Sequence, residues 1–283
     1  MLEKATKLII KKHLEAGQIP WYPGYLVYRQ QLISETLSNS DLISKFKLNQ
    51  SLPSGYGYGV DERCVEYPWL FCQLNHNSES ILDAGSALNH DFILEQPIWQ
   101  NKKLHILTLS PEFNCHWKRG ISYLFEDLRS IPIQDNFYDQ IACISTLEHI
   151  GLDNRQFTGK DTDKQQKSKD FLLAIQEMRR VLKPCGSLLL TVPFGKYSNL
   201  ETQQVFDDNL LEQAISAFKP SDITHTFFSY TQKGWQFSSV EQCKKCEYVD
   251  WIMLPEEKRP NKFPVQLDNA AAARAVACVK LVK

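Results

Sequence analysis

From about Ser80 onward the chain alternates between short apolar runs and longer mixed stretches. "SILDA", "LHILTL", "ISYLF", "YDQIACIST" and "SLLLTVPF" are apolar runs of strand length. The segments between them are long enough for helices. "KDFLLAIQEMRRVLKPCG" is the clearest, with Phe171, Leu172, Ile175, Met178, Val181 and Leu182 on one face and Pro184 and Gly186 as its stop. Strand–helix alternation of this kind predicts a parallel sheet wrapped in helices. "DITHTFFSYT" and "AARAVACVKLVK" predict two further strands. The aromatic, partly charged stretch between them, Gly234 to about Asn269, is too long for a hairpin turn. Upstream, Leu2, Ala5, Leu8, Ile9 and Leu14 fall near helical spacing and predict an amphipathic helix. Residues 1–60 read as helical and then loop-like, closing in "LPSGYGYGVDER".

Composition narrows the classes. The 283 residues suit one large α/β domain with additions, or two small domains. At 43% hydrophobic and 23% charged, the chain should form a packed core. A net charge of −1 leaves no electrostatic footprint for nucleic acid or an anionic membrane, so neither is expected as a partner. No apolar run is long enough to cross a bilayer, and the first residues lack the apolar core of a signal peptide. The eight cysteines are mostly scattered singly, which fits free thiols and a cytoplasmic location. "CKKC", Cys243 to Cys246, is a lone pair without the second pair that zinc would want, and no metal site is expected.

In a doubly wound sheet, ligands sit at the carboxyl ends of the strands. Polar and small residues follow each predicted strand here. Asp83 and Gly85 follow the first, Ser110 to Glu112 the second, and Glu126 and Asp127 the third. Ser145, Thr146, Glu148 and His149 follow the fourth, and Pro193 to Gly195 the fifth.

"ILDAGSALN", "LFEDLRSIPIQDNFYDQIACISTLEHIG" and "RRVLKPCGSLLLTVPFG" resemble successive motifs of the class I S-adenosylmethionine-dependent methyltransferases, over roughly residues 80–200. The resemblance implies an α/β fold: a doubly wound, seven-stranded, mostly parallel sheet with an antiparallel last strand, here behind an N-terminal helical extension at residues 1–60. The methyltransferase domain would then occupy residues 61–283, with a polar lid loop at 152–169 and an insertion at 234–269. The implied cofactor is S-adenosyl-L-methionine. The family's first loop reads D/E-x-G-x-G-x-G. Asp83 and Gly85 match it, while Ala87 and Asn89 replace the later glycines. Ala is the next smallest residue, and Asn tolerates left-handed backbone. The family's second strand ends in an acid for the ribose hydroxyls. Thr108 stands there, and Glu112 is the nearby substitute. Asp127 is expected to accept from the adenine amino group, and the Leu128 N–H to serve a ring nitrogen. Ser145 joins the cofactor set from the fourth loop. Arg63 would clamp the methionine carboxylate with its planar fork.

His149 and Glu148 are the candidate catalytic residues, because a base near neutrality helps when the acceptor is a hydroxyl. The expected activity is methyl transfer to a small-molecule or glycan-type acceptor, with O-methylation foremost. Two other readings stand beside it. One is a methyltransferase fold kept as a binding or scaffold protein. The other is a nicotinamide-dependent oxidoreductase, disfavoured by the missing G-x-G-x-x-G spacing. Each apolar or charged candidate also has a structural reading: Asp127 as a turn cap, His149 as a packing residue, and "FFSYTQKGWQFSS" as aromatic core.

Overall fold

The computed structural model describes residues 2–249 and 266–283. The expected insertion at 234–269 therefore lies partly outside the described residues. In chain order the elements are α1 (Leu2–Glu15), α2 (Tyr25–Ser38), α3 (Ser40–Lys47), α4 (Arg63–Gln73), β1 (Ser80–Ala84), α5 (Asp91–Leu94), β2 (Lys103–Thr108), β3 (Ser122–Phe125), β4 (Tyr138–Ile144), α6 (Arg155–Thr158), α7 (Phe171–Val181), β5 (Leu182–Pro193), β6 (Ser198–Asn199), β7 (Gln204–Val205), α8 (Asp208–Phe218), β8 (Asp222–Thr231), β9 (Gly234–Ser238), α9 (Val240–Cys243) and β10 (Ala275–Val282). The chain divides into two compact units. The first comprises residues 1–72, 194–196 and 227–276. The second comprises residues 73–193, 197–226 and 277–283. The expected boundary at residue 60 falls inside the first unit, which runs on through most of α4.

The second unit is built on the sheet order β3-β2-β1-β4-β5-β10-β8. β1 pairs in parallel with β2 and β4, β2 with β3, and β4 with β5. Buried on both faces, β1 is buried throughout and β4 at every residue but the half-buried Asp139, as a parallel sheet covered by helices requires. The last strand is antiparallel to β5. Cys185 N donates to Lys283 O and Lys283 N to Gly186 O at one end, while Phe194 N donates to Ala275 O at the other. Between β4 and β5 the register jumps from Tyr138↔Leu182 to Gln140↔Ser187. The Pro184–Gly186 stop thus becomes a bulge, with Cys185 at φ +62°. The turn after α7 is tight because Gly186 has no side chain. A Cβ there would sit 2.9 Å from the carbonyls of Asp139 and Lys183.

The first unit holds α1 to α3, most of α4, and a hairpin. β8 pairs antiparallel with β9, from Phe227↔Ser238 to Thr231↔Gly234. The stretch from Gly234 thus begins with a strand that closes a two-residue turn, an eighth strand beyond the seven expected. Gly234, at φ +80°, makes the turn possible. Phe228, Tyr230 and Trp235 are buried, so this aromatic run is core of its unit. On α1 the buried residues are Ile10 and His13, while Leu8, Ile9 and Leu14 are exposed. The expected apolar face points the wrong way there because His13 packs against the rings of Tyr25 and Tyr28.

Candidate functional site

The β1 loop is held by its own acid. Asp83 is fully buried at the end of β1, and its carboxylate accepts the N–H groups of Ala87 at 3.1 Å and Leu88 at 2.8 Å. It shapes the turn from within. Gly85 follows at φ +113°, where a Cβ would lie 2.2 Å from Thr146 Oγ1 and 2.3 Å from its Cγ2. The space that a glycine leaves open is therefore used by Thr146, from the loop after β4. Ala87 and Asn89 are absent from the positive-φ residues; it is Ser86, at φ +65°, that takes the left-handed turn. This corrects the expectation that Asn89 is tolerated for its backbone. No glycine is needed at residue 89, and its side chain has other work. Nδ2 donates to Glu112 Oε2 at 2.6 Å and to Asn114 O at 3.0 Å, and Oδ1 accepts from Tyr123 Oη at 2.8 Å.

The next two loops bring carboxylates to the same edge. Thr108 ends β2, and Glu112, half-buried, follows it. Among the described residues Glu112 Oε1 accepts no hydrogen bond, and Ser86 Oγ is buried with no partner. Asp127 follows β3 and is partly exposed. Its two oxygens take a bidentate clasp from Arg129 at 3.0 Å and 2.6 Å, and it also accepts the Arg129 N–H at 2.8 Å. The cap reading and a ligand role are compatible, since a carboxylate has about four acceptor sites. Leu128, beside it, is buried. The same guanidinium donates to Gln165 and Asp170, at 2.7 Å and 2.6 Å. Nothing in the sequence pointed to this Arg129 hub.

After β4 the backbone turns sharply. Ser145 has φ +40°, and its N–H donates to Thr191 O and Oγ1. Glu148 is buried at 2% exposure. Burial pushes the neighbouring Cys143 thiol up, and the Glu148 and Asp83 carboxylates nearby push it further. His149 is half-buried. Its Nδ1 lies 2.7 Å from Thr202 O, and its ring meets Phe157 edge-on at 5.5 Å. A carbonyl can only accept, so Nδ1 carries the proton and Nε2 is the basic nitrogen of the neutral ring. Residues 152–169 are pinned at several points: Asp153 N to Glu201 O, Lys167 N to Gly151 O, Gln204 Nε2 to Ser168 O, and Ser110 Oγ to Phe157 O. Leu152, Asp153 and Asn154 are buried, and the rest is mostly exposed.

Arg63 belongs to the other unit. At the start of α4 it pairs with the buried Glu66 at 2.9 Å and lies over the Tyr67 ring. Burial opposes its charge, but Glu66, Tyr67, Glu62 and Asp61 outweigh that and raise it further. Burial beside Asp61 and Glu66 pushes the Glu62 carboxyl up to about 8. None of the eight cysteines is in a disulfide, Cys243 is buried and Cys246 half-buried, and no described group of His, Cys, Asp or Glu is arranged to hold a metal. No described helix is long and apolar enough to cross a membrane.

Residues 100–190 match the family model for a methyltransferase domain. The sequence matches no curated protein. Solved structures similar to it include the [4+2]-cyclase SpnF, at 14% identity over 90% of this chain and 96% of that one, TM-score 0.46. Another is the N-methyltransferase NodS from Bradyrhizobium japonicum in complex with S-adenosyl-L-homocysteine, at 12% identity over 90% and 98%, TM-score 0.42. A third is the 1,6-didemethyltoxoflavin-N1-methyltransferase from Burkholderia thailandensis, at 13% identity over 72% and 71%, TM-score 0.40. The family match falls on β2 to β5, the strands whose ends carry the loops just described, so over these residues the chain is similar to methyltransferase domains.

Proposed function

We propose that the second unit binds S-adenosyl-L-methionine and methylates a small-molecule or glycan-type acceptor, at oxygen. The observation that carries the reading is the row of loops at the carboxyl edge of β1 to β4, presenting Ser86, Glu112, Asp127 and His149 in turn. The donor set suits such a cofactor. Ser86 Oγ is an orphaned buried hydroxyl in the first loop, and Glu112 keeps a carboxylate oxygen open for a diol. Asp127, clasped by Arg129, accepts from the adenine amino group, and the Leu128 N–H serves a ring nitrogen. Asp83, Gly85 and Ala87 shape the loop around it, and Ser145 fixes the opposite turn. When bound, the cofactor supplies a methyl group already activated on a sulfonium.

The protein then has to align, exclude water and move one proton. His149 does the last. Its tautomer is set by the Thr202 carbonyl, so Nε2 accepts the proton that a hydroxyl acceptor loses as the methyl arrives. Buried Glu148 lies close behind it in the chain and holds the acceptor side in place. Residues 152–169 cover the acceptor.

Calorimetry with S-adenosyl-L-homocysteine, followed by a methyl-transfer assay on hydroxyl and amine acceptors, tests this. Binding with turnover only on hydroxyls is expected. No binding refutes the cofactor, and turnover only on amines refutes the oxygen acceptor.

A further inference from the structure

Two features of the edge loops are unusual side by side. Strand β2 ends in Thr108, which offers a single hydroxyl, and the nearest carboxylate, Glu112, sits in a loop beyond the strand. A carboxylate on a loop has rotamers to lose before it can hold a ligand, and that ordering weakens binding. In this molecule the ordering is already done. Asn89 is 4% exposed at the end of the β1 loop, and its amide is committed within the protein. Both Nδ2 hydrogens are used, one on Glu112 Oε2 at 2.6 Å and one on Asn114 O at 3.0 Å. Its Oδ1 accepts from Tyr123 Oη at 2.8 Å, and Tyr123 Oη in turn accepts the His116 N–H at 2.8 Å. Asn89 thus ties the β1 loop to the loop after β2 and to strand β3, and its side-chain amide has no N–H left for a ligand. Its bond to Glu112 fixes one carboxylate oxygen and leaves the other, Oε1, with no partner among the described residues. A carboxylate with one oxygen anchored and one open is set up to accept from a vicinal diol.

We propose that Asn89 is a positioning residue. It pre-orients Glu112 as the acceptor for the ribose hydroxyls of the cofactor, and so stands in for an acid at the end of β2. Tyr123 completes the brace by fixing which way the Asn89 amide faces. This rests on the reading of the site as an S-adenosylmethionine site.

The test is calorimetry with two probes, S-adenosyl-L-homocysteine and its 2′,3′-dideoxy analogue. The parent protein binds the first more tightly. In Asn89→Ala and in Glu112→Gln the affinity for S-adenosyl-L-homocysteine falls about tenfold to hundredfold, the span for losing a hydrogen bond to a charged group. The affinity for the dideoxy analogue stays within a factor of two or so, because that probe never used Glu112. An acid placed directly on the strand needs no brace. Asn89→Ala combined with Thr108→Asp therefore recovers most of the lost affinity. Equal losses for both probes would mean that Asn89 only holds the loops in shape, and would overturn the proposal. So would an unchanged affinity for S-adenosyl-L-homocysteine, or no recovery with Thr108→Asp. If the parent itself fails to bind S-adenosyl-L-homocysteine, the cofactor reading falls first, and this failure is seen before any variant is made.

Discussion

Gly85→Ala should destabilise the second unit by more than a single methyl usually does. Two independent costs meet at this position. The backbone sits at φ +113°, outside the regions that residues with a Cβ normally occupy, which costs of order 1–3 kcal/mol. The added Cβ would also meet Thr146 Oγ1 at 2.2 Å, Cγ2 at 2.3 Å and Cβ at 2.7 Å, so Thr146 has to move. Overpacking of that kind costs about 1–3 kcal/mol. The sum is roughly 2–6 kcal/mol, a large part of the 5–15 kcal/mol that usually separates folded from unfolded. Urea unfolding followed by circular dichroism would show it as a midpoint lowered by roughly 1 M or more. Two further variants separate the costs. Gly120→Ala, at φ +78° with nothing within 4 Å of the new Cβ, should show only the backbone cost. Gly85→Ala with Thr146→Gly should recover about 1–3 kcal/mol by clearing the obstruction. A Gly85→Ala protein that unfolds within 0.5 kcal/mol of the parent, or a double variant with no recovery, would refute the reasoning.

His149→Ala should leave S-adenosyl-L-homocysteine affinity within a factor of a few while lowering turnover roughly 10²–10⁴-fold, and the pH–rate profile should lose its ascending limb. A smaller loss with the limb intact would assign His149 to packing. Arg129→Gln removes the clasp on Asp127 and the bonds to Gln165 and Asp170, so limited proteolysis within residues 152–169 should speed up several-fold, on the order expected for a weakened local structure; cutting at the parent's rate would show that the other pins suffice. Burial alone would raise the Asp139 carboxyl, yet Lys183 at 2.7 Å and donors from Ser80 and Glu79 hold it at about 2. The folded value lies below the unfolded value of roughly 4, so this stability is present above that pH and is lost as the pH falls toward 2. Asp139→Asn should cost about 1–2 kcal/mol at pH 7 and progressively less below pH 4 in urea melts; a penalty that stays constant with pH would show that charge is not the cause.

Much of the fold could be read from the chain because each strand is a contiguous apolar run with both faces covered. "SILDA" and "DITHTFFSYT" match β1 and β8 residue for residue. β9 was not legible. Its strand "GWQFS" mixes polar and aromatic residues, and what makes it a strand is the hairpin partner and the Gly234 turn. Helix α1 was recognised as a helix but assigned the wrong buried face. A histidine counts as polar in any periodicity, yet His13 is 1% exposed between tyrosine rings. In both cases tertiary partners decided what local pattern could not.

The edge loops show the same limit at finer grain, and the three positions of the first loop make the argument. A D/E-x-G-x-G-x-G pattern invites the view that each missing glycine is a defect. The backbone answers residue by residue. Gly85 is required twice over, by φ and by Thr146. Positions 87 and 89 have no positive φ, so a side chain there carries no backbone cost. The left-handed residue is Ser86, one that the pattern leaves unspecified. Once backbone need is removed, a larger residue at 89 is free to reach across to the next loop and to strand β3, and Asn89 does so with its amide donors and its carbonyl. Which glycines a loop can lose is thus set by its dihedral angles, and what replaces them is set by what lies within reach of the new side chain. Neither is written in the spacing of the motif, and both follow from the positions of Thr146 and Glu112 on neighbouring loops and of Tyr123 on β3.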